Sequence, residues 1–168
     1  MSFSASVFEA FINRQIIEIC RVVVSAGVHR YVLLDTAIFV TDAGMVQIMV
    51  DVHEKQLHRP ASLKDIVIAG DYEGRTKVEL QPWHLPGIPL KIGAIYEVCE
   101  TGSITSQEYL VGVFLANAQK EFVIGLNMYL DDLECCAVES LWKYIEKLLA
   151  SGSTISIQPM HIDPPPFL

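Results

Sequence analysis

A chain of 168 residues with 51% hydrophobic and 19% charged side chains is long enough for one self-sufficient core and too apolar for global disorder. Its net charge is −8, and residues 121–168 supply most of it, with 2 Lys/Arg against 7 Asp/Glu. That balance disfavours binding to a polyanion such as DNA or RNA and favours a basic protein partner.

In chain order, FSASVFEAFINR (3–14) spaces Phe3, Val7, Phe8, Phe11 and Ile12 as a helix does. IIEICRVVV (16–24) is β-branched and short, and reads as the first strand. Residues 31–53 read as a hairpin turned at Asp42-Ala43-Gly44. Its second arm places Val46, Ile48, Val50 and Val52 on a core face, with Gln47, Met49, Asp51 and His53 on a half-wet one. Residues 54–64 read as loop, and 65–74 as a short strand closed by a glycine-bounded turn. The three prolines of 78–90 predict an extended loop or edge segment there. Strands follow over 91–101, 107–116 and 121–130, the last two joined by the hairpin-length loop 117–120. A helix over 132–149 ends at Ser151-Gly152, and 153–159 adds a short strand. The expected fold is α+β: a curved, mostly antiparallel sheet of five to seven strands, with an N-terminal and a C-terminal helix packed on it. Residues 1–160 form the single domain, and 161–168 a Pro-rich tail.

NMYLDDLECCAVESLWKYIEKLL (127–149) holds the densest group of reactive side chains. Asp131 followed by Glu134 matches a D-x-x-E capping box, and Val138, Leu141, Trp142, Ile145, Leu148 and Leu149 form the apolar stripe. On such a helix Cys135 lies at the stripe's margin and Cys136 on the polar face, about 100° apart, a poor grip for one metal. A thiol near a helix N-terminus can ionise early, but the neighbouring carboxylates oppose it, so structural cysteines are the favoured reading. With only Cys20 and Cys99 besides, the chain lacks a disulfide framework, which suits reduced thiols in a cytoplasm. The N-terminus makes a poor signal peptide, and no apolar run reaches the ~18 residues of a membrane helix.

HEKQLH (53–58) has one residue too many for H-E-x-x-H, so its imidazoles diverge on a helix, and a solvated loop is favoured over a zinc site. In PWHLPGIP (82–89), Trp83 reads first as a plug beneath a stiff loop, and second, with His84, as a partner-binding edge. GDYEG (70–74) offers two acids in a turn, which are ordinarily just solvated. No catalytic or phosphate-binding motif is present, and neither a cofactor nor a metal is expected. The expected function is therefore a non-catalytic acidic protein-binding domain, of the kind represented by immunity proteins that neutralise a basic toxin. Asp131, Asp132 and Glu134 would be its acids, with Trp83 and His84 as anchors. One alternative is a ligand-binding or enzymatic domain with a pocket in the curved sheet, lined by Met49, His53, Tyr96, Glu97, Tyr109 and Asn127. A weaker one is a secretion chaperone, for which a homodimer is expected.

Overall fold

The structure, a computed structural model, describes Phe8 and residues 11–50, 55–70, 72–102, 104, 106–128 and 132–160. Strand β1 (Gln15–Ala26) is the axis of the first sheet. Most of its apolar residues are buried, on both faces: Ile16 and Ile19 on one, Cys20, Val22 and Val24 on the other. Such continuous apolar character is what a strand covered on both sides needs.

Along one edge β1 pairs first with β3 (Thr36–Thr41) and then with β2 (His29–Val32); along the other it pairs with β7 (Leu90–Lys91) and β6 (Arg75–Pro82). Beyond β3 come β4 (Gly44–Val50) and β5 (Lys55–His58). The second sheet contains β8 (Ala94–Thr101), β9 (Glu108–Ala116), β10 (Phe122–Asn127), β11 (Glu134–Ala137) and β12 (Thr154–Pro159), in the order β11-β10-β9-β8-β12. The paired strands of both sheets run antiparallel.

The two sheets enclose a common core in which Phe11, Ile16, Phe39, Ile48, Ile95, Leu115, Ile124 and Leu126 are buried together. Sheets stacked in this way lie about 10 Å apart. The chain passes from one to the other at Gly93, between β7 and β8, where a Cβ would stand 2.6 Å from Ala118 Cα and from Asn117 O. Only glycine fits that crossing. Helix α1 (Val138–Ala150) covers the far face of the second sheet with Leu141 and Ile145. The segment around Ile66 and Ile68 covers the far face of the first. The resulting layers are covering segment, sheet, sheet and helix.

The α+β, mostly antiparallel expectation therefore holds in coarse form, with four corrections. There are two sheets where one was expected, because the strands have enough apolar faces to close on each other. Of the helix expected over 3–14, the described residues make turns, with Phe8 O accepting from Phe11 N and Phe11 O from Arg14 N; the remainder lies outside the described residues. The C-terminal helix begins at Val138, and residues 134–137 are strand β11. Residues 55–58 are strand where a loop was expected, while 65–74 contribute no strand.

Of the face expected to be half wet, Gln47 and Met49 are buried, while Asp51 and His53 lie outside the described residues. Gln47 is fully buried, its Nε2 donating to Val67 O at 2.7 Å and to Thr36 Oγ1 at 3.0 Å, while its Oε1 accepts from Val67 N at 3.0 Å. One side-chain amide thus bonds to the covering segment as a neighbouring strand would.

Candidate acidic and apolar surface around strand β11

Strand period decides what becomes of the cysteine-rich stretch. Leu133 and Cys135 point into the core between the sheets, Cys136 points to the helix side, and Asp132 and Glu134 remain exposed. The expected capping box is absent among the described residues: Glu134 pairs with Asn127 across β10 and β11, and Ala137 occupies the N-cap of α1 without a side-chain hydrogen bond. Asp131 lies outside the described residues. Cys136, expected on a polar helix face, is buried beneath Leu141 and Ile145.

The backbone N–H of Leu133 donates to Leu34 O at 2.8 Å. This bond sets Asp132 and Glu134 beside one end of an apolar strip. Leu34 is 65% exposed and Val32 43%, while Tyr31, 41% exposed, turns to the opposite face of β2. Sequence reasoning missed Leu34 and Val32 because their exposure depends on how far β1 and β2 run past the second sheet. The only local signal was His29-Arg30 interrupting an apolar run.

Trp83 is half-buried against the common core, its backbone N donating to Ile19 O at 2.7 Å. The guanidinium carbon of Arg21 lies 4.4 Å from the centre of the Trp83 ring, an arrangement in which cation and ring quadrupole attract. The same positive charge is felt at Cys135, which brings the Trp83 loop and β11 to one end of the sandwich. His84, next to Trp83, is exposed.

The alternative lining set is not brought together. Met49 is buried, on the face of β4 opposite the common core, whereas Tyr96 packs tilted against Phe122, ring centres 4.9 Å apart, on the helix side of the second sheet. Tyr96 and Glu97, being neighbours on β8, face opposite ways. Tyr109 is exposed, Asn127 is half-buried, and His53 lies outside the described residues. In the H-E-x-x-H-like stretch, the described His58 sits on β5 with its Nε2 3.3 Å from Gln56 Oε1. Among the described residues, no group of three His, Cys, Asp or Glu could hold a metal ion.

All four thiols are free and buried. Burial, reinforced by Glu18, pushes Cys20 up to about 11; burial with Glu97 and Glu108 pushes Cys99 up to about 12; burial and Glu134 push Cys136 up to about 11. Cys135 is also raised, by burial first. At pH 8 these thiols are protonated and poor nucleophiles. Native protein treated with iodoacetamide at pH 8 is therefore expected to stay unlabelled while denatured protein takes four labels, and rapid native alkylation of any cysteine would contradict this placement. The unfolded chain ionises Cys20 and Cys136 from about their ordinary value of 9.0, the folded chain only nearer 11. Their contribution to stability is therefore whole below pH 9 and is lost as the pH rises through about 11.

Compared with protein-family models, curated proteins and solved structures, the chain matches none of them.

Proposed function

We propose that the chain is a non-catalytic protein-binding domain that presents Asp132 and Glu134, beside exposed Val32 and Leu34, to a basic partner. An inhibitor of the immunity type, held in the cytoplasm and neutralising a basic toxin or effector, fits this reading. The observation that carries it is the Leu133–Leu34 backbone bond, which joins two exposed carboxylates to exposed apolar side chains. Apolar contact supplies the affinity of such a surface, and its charges steer the encounter and select the partner's sign. Trp83 and His84 lie toward the same end of the molecule and extend the contact. No helix of the described residues is long and apolar enough to cross a membrane.

The test uses a labelled peptide of alternating Lys and Leu, titrated by fluorescence anisotropy. The double variant Asp132→Lys/Glu134→Lys exchanges two attractions for two repulsions, each worth about 0.5–1 kcal/mol at an exposed site, so binding is expected to weaken about 10-fold or more. Wild-type affinity in a variant with unchanged circular dichroism would contradict the proposal.

A further inference from the structure

Beyond Ile19, strand β1 carries a further set of side chains on the Ile19 face, where Val23 is fully buried and its cross-strand neighbour Val32 is exposed. Register places Arg30, Ser25 and Lys77 side by side across β2, β1 and β6, with Val32, Val23 and Glu79 as the next row. Arg21 faces Gln81 in the row after that, and Trp83 follows opposite Ile19. Residues two apart share a face, so all of these side chains rise on the side of β1 that bears Ile19.

Among the described residues, three cations stand on this face against one carboxylate. Glu79 takes both Lys77 and Arg30, the latter at 3.2 Å, and the two hold its carboxyl below the ordinary range, Lys77 more strongly. Arg21 has no carboxylate within 4 Å among the described residues; its guanidinium sits over the Trp83 ring, and among those residues its N–H donors enter no ion pair. A surplus of two positive charges on one small face is at odds with a chain whose net charge is −8.

We propose that this face, formed by Arg21, Arg30 and Lys77, binds an acidic peptide segment in extended conformation. Same-side residues of a strand repeat every ~6.6 Å, so the Arg21 row and the Arg30–Lys77 row lie about 13 Å apart along β1. An extended peptide with acids at i and i+4 spans that distance. Its residue i+2 falls on the middle row, where Val32 is exposed and Glu79 already holds a negative charge, so that position takes an apolar side chain. The matching pattern is acid-x-apolar-x-acid. Arg21 receives one carboxylate, with its fork pre-set by the ring beneath it.

A single-stranded nucleic acid fits less well. Stacking bases need an open aromatic face, but the Trp83 ring is half-buried and covered by Arg21. The aromatic group His29, Tyr31 and Tyr72 lies on the other face of the sheet, since Tyr31 faces Val24. The two surfaces adjoin at Val32, but they are told apart by charge: Asp132→Lys/Glu134→Lys reads the first and Arg30→Ala/Lys77→Ala the second.

The test is anisotropy with a fluorescein-labelled peptide whose core is Glu-Ser-Val-Ser-Glu, with Lys-Ser-Val-Ser-Lys as control. Wild-type protein is expected to bind the acidic peptide, more weakly as salt is raised, and to ignore the control. The variant Arg30→Ala/Lys77→Ala removes two exposed side chains and should bind about 10-fold more weakly or worse. Arg21→Lys keeps the charge but loses the planar stack and should also bind less tightly. Failure of wild-type protein to bind, unchanged affinity in the double variant, or tighter binding of a thymidine oligonucleotide than of the peptide would overturn the proposal.

Discussion

Replacing Gln47 with leucine is expected to lower the unfolding free energy by about 2–4 kcal/mol, although leucine fills nearly the same space. The amide of Gln47 satisfies both the N–H and the C=O of Val67 and also donates to the Thr36 hydroxyl. Leucine replaces none of these bonds. A buried polar group left without a partner costs about 1–3 kcal/mol, and here two backbone groups of one residue lose theirs together. Val67 lies at the surface, so the segment rehydrates these groups most readily by lifting from the sheet, which uncovers Cys20, Val22, Ile38 and Ile66. Two readings should therefore move together: the urea midpoint should fall, and Cys20 should become open to alkylation in otherwise native protein. A midpoint shift worth less than about 0.5 kcal/mol would show that the amide does not hold the segment down.

The second large effect is at Gly125. A Cβ built there meets Leu141 Cβ at 2.8 Å and Cys136 Sγ at 3.3 Å, and one at Gly112 would meet Leu141 Cδ1 at 3.1 Å. The two glycines form the seat in which fully buried Leu141 docks α1 on the second sheet. Gly125→Ala is expected to cost about 1–3 kcal/mol by overpacking, and Leu141→Ala about 2–5 kcal/mol through the cavity it opens. Combining them keeps the Leu141 Cβ contact at 2.8 Å and removes the Cδ2 contact at 3.2 Å, so rescue is partial: the double variant should be less destabilised than the two single effects added together by about 0.5 kcal/mol. Strict additivity would mean that the helix does not rest on Gly125.

The parts of the fold legible in the sequence are those set by local period and turn chemistry. The hairpin of β3 and β4 was legible from Val46, Ile48 and Val50 alternating after Asp42-Ala43-Gly44. The strands β8, β9 and β10 were legible from short β-branched runs separated by loops. Glu134-Cys135-Cys136-Ala137 was not. The helical stripe of 138–149 runs smoothly back into it, Asp131 and Glu134 stand at cap spacing, and small side chains suit either period. What made it a strand was long-range: Leu133 and Cys135 had a core to enter, and β10 had an edge to pair. Gln47 misled for a related reason, since a polar residue on an alternating strand reads as wet unless a segment twenty residues away covers it.

For the surface itself, the charge of Asp132 and Glu134 was legible and so was the prominence of Trp83. Arg21, Arg30, Val32, Leu34 and Lys77 were not, because each matters only through cross-strand register with residues distant in sequence. An Arg inside a β-branched strand, as at position 21, was the one local sign of a polar inner face.

Hydrogen–deuterium exchange of the wild-type protein, with and without the alternating Lys–Leu peptide, tests the central claim most directly. The account predicts slowed exchange confined to β2, the Leu33–Leu34 connection and residues 132–137. Slowed exchange over β5 or β12 with no change in those segments would contradict it.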